Sequence, residues 1–196
     1  MEPLDIVDTV NEPAASSRKL NATVAITVAL LATFMGICKV KDDNINQSMQ
    51  QAQANRVDHW AFYQARNVRE EVAKATLTQL KLAAAGRPAV EQVEYQAAIK
   101  QYEALVQEQK RKKAEAKADA ENDQRTYDAA NFKDDQFDLS DTLLAIAISL
   151  LAVTALTQLW ALYFVALVPT AFGMLMGLSG LAGWSIHPNA LIALLS

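Results

Sequence analysis

The sequence is poor in the residues that build disulfides and metal sites. Its 196 residues include one cysteine and two histidines. A single cysteine, Cys38, excludes an internal disulfide and a metal site built from several cysteines. His59 and His187 are therefore the only imidazole ligands available for a haem, a pigment magnesium or a metal ion. His59 lies about 20 residues, or roughly 30 Å of helix, beyond an apolar run near the N-terminus, whereas His187 follows an apolar run near the C-terminus. If both runs cross a membrane, the two histidines cannot share one site within a chain.

Charge is missing from a long stretch near the C-terminus. Residues 142–184 contain no Asp, Glu, Lys or Arg. As one helix they would extend roughly 64 Å, about twice the thickness of a hydrocarbon core. The stretch is therefore predicted to fold back once. Its least apolar point is Thr157-Gln158, followed by Trp160 and Tyr163, which favour an interface, so we expect a tight turn near Gln158.

A third apolar run lies near the N-terminus, from about residue 22 to 37. Basic residues flank it on both sides, and lysine side chains at the ends of a short span can reach the headgroup level. The segment before it is long and acidic, unlike the short basic region that opens a secretory signal peptide. We therefore expect a retained membrane span.

The region between the first two spans is charged and rich in helix-forming residues. Residues 42–85 contain neither Pro nor Gly, which predicts one long helix. Gly86-Arg87-Pro88 then favours a chain reversal, because Gly suits a helix end and Pro suits a helix start. The predicted packing stripe of this first arm has a spacing of three or four residues: Ala61, Ala65, Val68, Val72, Ala75, Thr76, Leu80 and Ala83.

The second arm, residues 89–132, shows a heptad spacing typical of a coiled coil. Continued in register, the stripe meets the Lys110–Lys113 cluster, where we expect packing to weaken before it resumes at Tyr127 and Ala130. The residues that define the stripe are Tyr95, Ile99, Tyr102, Val106 and Gln109.

The predicted fold class is an all-α membrane protein with three transmembrane helices. A long antiparallel helical hairpin, a coiled coil, is expected between the first and the second. An odd number of spans places the hairpin and the C-terminal tail on one face, and the positive-inside rule favours a cytoplasmic hairpin. The predicted segments are a polar tail (1–21), span 1 (22–40), the hairpin (41–137, turn 86–88), span 2 (138–158), span 3 (160–186) and an apolar tail (187–196).

One aromatic segment of the first arm is a candidate partner contact. Trp60, Tyr63 and Arg66 are residue types that dominate interface energetics. The alternative is that the rings pack against the second arm. In span 3, Gly173 and Gly177 have the small-xxx-small spacing, and Gly180 and Gly183 extend it as a predicted helix-packing interface.

Two charged clusters have an ordinary structural explanation. Lys110–Lys113 could attract nucleic acid or anionic lipid, but acidic residues flank it, and pairing along the helix is the simpler interpretation. Asp134, Asp135, Asp138 and Asp141 lack the pattern of a calcium loop. Asp138, Ser140 and Asp141 are instead predicted to cap or charge a helix N-terminus. We expect no nucleic-acid partner, no metal site and no cofactor.

Several features together resemble a bacterial family, the domain of unknown function 4337. They are residues 60–67 after the first span, the Tyr-Glu pattern near Tyr95 and Tyr102, Phe137-Asp138-Leu139, and Leu159-Trp160. The resemblance implies an N-terminal span, a coil rich in Gln, Glu and Lys, and a C-terminal pair of spans. The family has no assigned activity, so the resemblance carries over no catalytic residue.

Our leading hypothesis for function is a non-enzymatic structural or accessory subunit of a bacterial inner membrane. It would contact lipid and form a homo-oligomer or join a larger membrane complex. No charged side chain lies inside the spans away from their ends, which argues against a proton relay or a transporter. The alternatives are a tethered sensor or assembly factor whose hairpin recruits a soluble partner, and a cofactor carrier that uses His187 or His59.

Overall fold

The computed structural model describes residues 15–186 and Pro188, and every regular element in those residues is an α-helix. Helix α1 is Ala15–Ala84, α2 is Ala89–Thr157 and α3 is Trp160–Ala182. The predicted all-helical fold is confirmed. The chain forms two compact units, a terminal unit (Met1–Asn46 and Asn131–Ser196) and a central unit (Gln47–Ala130).

The first break between helices falls where the sequence predicts it. Helix α1 ends at Ala84, and the Arg87 amide donates to the Ala84 carbonyl at 3.2 Å. The carbonyl of Pro88 then accepts a hydrogen bond from the Glu91 amide at 3.0 Å. Pro88 thus precedes the first turn of α2, a position where the absence of its own N–H costs nothing.

The second break lies at Gln158, also as predicted. Gln158 has a φ of 58°, and Leu159 is extended. The left-handed region is unfavourable for a residue with a Cβ, so this conformation needs compensation. The Gln158 amide donates to the Thr154 carbonyl at 2.9 Å, and its side-chain Nε2 donates to Asn21 Oδ1 at 2.8 Å.

Helix α3 ends four residues before the predicted boundary at 186. Gly183 adopts φ 71° and donates its N–H to the Ser179 carbonyl, which also accepts from the Trp184 amide at 2.9 Å. This αL cap ends the helix at Ala182. The apolar composition continues to Ile186, so composition alone did not indicate that α3 ends at Ala182.

The core of the terminal unit draws on all three helices. Its members are apolar side chains that are between 0 and 5 % exposed. Interlocked aliphatic side chains of this kind hold helices together through close packing. The cluster comprises Leu20, Val24 and Leu31 of α1, Leu144, Ala147 and Leu151 of α2, and Ala166 of α3.

In the central unit, the predicted packing stripe of α1 is wrong at six of its eight positions, and only Thr76 and Leu80 are half-buried. Val68 and Val72 are each 61 % exposed, and Ala61, Ala65 and Ala75 are exposed too. The side chains that α1 buries or half-buries follow a different heptad series. That series contains Met49, Ala52, Arg56, His59, Tyr63, Arg66, Glu70, Ala73, Leu77, Leu80 and Ala84.

The predicted stripe of α2 agrees with the observed burial. Ile99, Val106 and Gln109 are buried, and Tyr95 and Tyr102 are half-buried. The predicted weakening after Gln109 is not found, because Ala116 and Ala120 are buried as well. Contacts between the two segments run in reverse order, from Arg56–Gln124 through Arg66–Gln109 to Lys81–Glu103.

Candidate functional site: polar and glycine contacts between the helices

The glycines of α3 mark the closest helix contacts in the terminal unit. A Cβ built on Gly173 would lie 2.9 Å from Leu144 Cγ, and one on Gly180 would lie 2.8 Å from Phe137 Cζ. A Cβ on Gly177 would lie 2.7 Å from both Phe34 Cε1 and Ser140 Oγ. Three of the four predicted interface glycines therefore face α1 and α2 of the same chain.

Gly183, the fourth, has a different role. A Cβ built there would meet nothing within 4 Å, and its φ of 71° is the feature that favours glycine. Gly183 therefore ends α3, whereas the other three glycines allow neighbouring helices to approach it. Ser140 Oγ donates to the Gly173 carbonyl at 2.8 Å, so one contact point combines a small residue with a hydrogen bond.

Gln136 joins α2 to the C-terminal end of α3. Its side chain is fully buried, and its Nε2 donates to the carbonyls of Trp184 at 2.8 Å and Ile186 at 2.6 Å. Ser179 Oγ lies 3.1 Å from the same nitrogen. Carbonyl groups at the end of a helix lack partners within the helix. The Gln136 amide donates to two carbonyls that follow the end of α3. Sequence analysis missed this residue, whose only signal is a polar side chain next to the apolar Phe137.

The opposite end of the terminal unit has a matching pair of polar contacts. Thr27 Oγ1 lies 3.1 Å from the Tyr163 hydroxyl, which links α1 to α3. The Gln158–Asn21 contact links the turn to α1. Inside an apolar bundle, a hydrogen bond such as Thr27–Tyr163 contributes about 0.6 kcal/mol, whereas the Gln158–Asn21 contact is exposed.

The predicted helix cap at Asp138, Ser140 and Asp141 is wrong, because α2 runs through this segment without a break. Asp134 instead meets the buried Asp42 of α1, which also accepts from Lys39 Nζ at 2.8 Å. Burial, a hydrogen bond with Asp42 and the nearby charge of Asp138 raise the pKa of Asp134 to about 7. This α1–α2 contact therefore contains a carboxyl that titrates near neutral pH.

Charged side chains occupy the packed face of the central unit. Glu70 is buried, and its carboxylate lies 2.5 Å from Lys113 Nζ of α2 and 2.7 Å from Lys74 Nζ of its own helix. Hydrogen bonds from Lys113 and Lys74 lower the pKa of Glu70. Lys113, part of the basic cluster, thus takes part in inter-helix pairing.

His59, a candidate ligand, lies in the same packed face. Its Nδ1 is 2.6 Å from Asp123 Oδ2 of α2. A carboxylate in that position orients the imidazole and occupies one of its two nitrogens. His187 lies outside the described residues. Within those residues, no group of three or more His, Cys, Asp and Glu side chains is arranged to hold a metal ion.

The three candidate partner-contact residues do not form one patch. Trp60 and Tyr63 are neighbours, with ring centroids 5.3 Å apart in an edge-on arrangement. Trp60 also borders an open groove of about 540 Å³ between α1 and α2. Arg66 points into the packed face, where its Nη1 donates to Gln109 Oε1 at 3.2 Å.

In the part of the chain that the structure describes, these elements form an all-helical fold with three helices long and apolar enough to cross a membrane. The most apolar 18-residue segments of α1, α2 and α3 have mean hydropathies of 2.0, 2.0 and 1.9. A family model described as a domain of unknown function, number 4337, matches residues 20–183, so the chain belongs to that family. No curated protein and no solved structure matches the chain.

Proposed function

We propose that the protein is a non-enzymatic structural or accessory subunit of a bacterial inner membrane. Three spans anchor it, and a coiled-coil hairpin lies on the cytoplasmic side. The observation that carries the proposal is the use of the buried polar side chains. Gln136 bonds to Ser179 of α3, Ser140 to Gly173 of α3, and Glu70 to Lys113 of α2, so these contacts serve assembly.

The exposed surface of the terminal unit supports membrane anchoring. Its outward side chains are large and apolar, a composition that water disfavours and acyl chains accommodate. At roughly 25 cal/mol per Å², burying such side chains in lipid contributes strongly to insertion. They include Ile26, Leu30, Phe164, Val168 and Phe172, which are 57–66 % exposed.

Membrane anchoring is tested by extraction of the full-length chain expressed in a bacterium. We expect it to stay in the membrane pellet after sodium carbonate at high pH and to leave it in mild detergent. Release by carbonate would contradict the proposal. The mass of the detergent-solubilised particle, measured by native mass spectrometry, then shows whether it contains copies of this chain, other subunits or both.

A tethered assembly factor is the second candidate, and the Trp60 groove favours it. Trp60 is 38 % exposed beside a groove that Val57, Ala61 and Gln64 help to line. Tryptophan at the edge of a groove is a frequent anchor for a protein partner.

The chain offers a matched control for this candidate. Trp160 in the terminal unit is also 38 % exposed. If the groove recruits a soluble partner, Trp60→Ala in the full-length protein abolishes its co-purification and Trp160→Ala does not. Equal recovery of the same polypeptides with both variants would contradict the assembly-factor role.

A further inference from the structure

One face of α1 between Ala61 and Leu82 is exposed and mostly apolar. We call it the outer stripe, and its positions are separated by alternating steps of three and four residues. Val68 and Val72 are each 61 % exposed, and Leu82 is 73 % exposed. The stripe consists of Ala61, Ala65, Val68, Val72, Ala75, Gln79 and Leu82, all exposed.

The outer stripe lies on the side of α1 opposite to the packed face. Each of its positions follows a position of the packed series by two residues, as Val68 follows Arg66 and Val72 follows Glu70. Two residues correspond to about 200° around a helix. Helix α1 therefore carries two heptad seams, of which α2 covers only one.

We propose that the outer stripe packs against the outer stripe of a second copy of this chain, parallel and in register. The inference rests on the proposed anchoring, because copies inserted in one membrane with one orientation present this stretch of α1 in the same direction and at the same height. A heptad seam is completed by another heptad seam. The second copy supplies one with identical spacing.

The side chains that flank the stripe fit this parallel, in-register pairing. In a parallel coiled coil, the residue that precedes the first core position of a heptad faces the residue five positions later in the partner helix. Gln64 then faces Arg69 of the second copy, Glu71 faces its Thr76, and Val57 faces its Phe62. The first two pairs permit hydrogen bonds, the third is apolar, and none brings like charges together.

The core positions also suit a close homotypic contact. Ala61, Ala65 and Ala75 are small and allow the two α1 helices to approach, whereas Val68 and Val72 supply branched side chains at the centre. Gln79 is the one polar core position. Paired with Gln79 of the second copy, it favours the in-register arrangement, since a single buried polar residue specifies register.

Cysteine cross-linking of the full-length protein in bacterial membranes tests the proposal. In a Cys38→Ser background, Val68→Cys and Val72→Cys are each expected to form a disulfide-linked homodimer on mild oxidation. In-register pairing brings the same core residue of two copies within disulfide range. The matched control is Val93→Cys. Val93 is 70 % exposed in the native protein, but it belongs to α2 and lies two residues from Tyr95 of the packed face. It should yield several-fold less dimer.

The possible outcomes separate this inference from the proposed function. A membrane-retained protein without dimer at residues 68 and 72, or with as much dimer at residue 93, overturns the homotypic contact and leaves the anchoring intact. A protein released by carbonate overturns the anchoring itself. As a second variant, Val68→Glu with Val72→Glu places charges in the seam and should abolish a cross-link through Ala75→Cys. An unchanged cross-link would also overturn the proposal.

Discussion

At the scale of single residues, contact distance decides what each glycine does. Gly36 and Gly177 both lie inside apolar helical segments, and only Gly177 belongs to the predicted packing pattern. A Cβ on Gly36 would meet nothing within 4 Å, whereas one on Gly177 would overlap Phe34 and Ser140. Only the second glycine is required by packing.

Substitution of these two glycines should therefore have opposite effects. Gly177→Ala forces the Phe34 ring and Ser140 apart, and overpacking of this kind costs about 1–3 kcal/mol. Gly36→Ala is expected to stabilise α1 by about 0.5–1 kcal/mol, because alanine restricts the unfolded chain. Thermal unfolding in one detergent measures both variants. Equal effects would contradict the assigned contacts.

Asp134 gives a second prediction at this scale, based on its raised pKa of about 7. The folded protein binds this proton more tightly than the unfolded chain does, so stability decreases as pH rises from about 4 to 7. Asp134→Asn cannot ionise. It should raise the melting temperature relative to the native protein at pH 8 more than at pH 5.

The control for Asp134 is Asp43→Asn. The Asp43 side chain is 59 % exposed and pairs only with Lys39 among the described contacts. Its substitution should give no such gain at pH 8. A melting temperature of Asp134→Asn that follows the native protein at both pH values would show that the carboxyl does not titrate in this window.

At the scale of the helices, charge placement explains why hydrophobic periodicity identified the wrong face of α1. The packed series includes Arg56, His59, Arg66 and Glu70, residue types that in a sequence indicate a solvent-exposed face. Each pairs with a side chain of α2, and together these contacts select the face and the register. The apolar outer stripe lacks such partners in α2 and is exposed.

The Glu70–Lys113 pair should matter more than an exposed ion pair. Glu70→Ala is expected to lower the melting temperature, because Lys113 loses its partner across the interface. Glu71→Ala should have little effect, since Glu71 is 61 % exposed and contacts only Lys74 of its own helix. The exchange Glu70→Lys with Lys113→Glu should restore part of the loss. No recovery would argue against direct pairing.

At the scale of the whole molecule, the proposed number of spans predicts which segments share a side of the membrane. If all three proposed spans cross it, the Gln158 turn and the hairpin are on opposite sides. In spheroplasts that produce the Cys38→Ser protein, a membrane-impermeant maleimide should label Leu159→Cys from outside. It should label Val93→Cys only after lysis. Labelling of both residues in intact spheroplasts would contradict the proposed topology.

Several features of this protein were determined by local chemistry, and the sequence predicted them. The break at Gly86-Arg87-Pro88 follows from backbone preferences, and the turn at Gln158 follows from the length of an uncharged run. The α2 stripe from Tyr95 to Gln109 follows from apolar spacing, and residues 60–67 helped to identify the family, which the match over residues 20–183 confirms.

Other features depend on partners distant in the chain, and only the tertiary structure decided them. Gln136 reaches the carbonyls of Trp184 and Ile186, and Glu70 reaches Lys113, contacts that no local pattern indicates. The glycines of α3 have the spacing of an interface, but spacing does not show whether a neighbour is internal or foreign. A polar side chain loses its exposure when another helix supplies its hydrogen-bond partner, and that depends on how the helices pack.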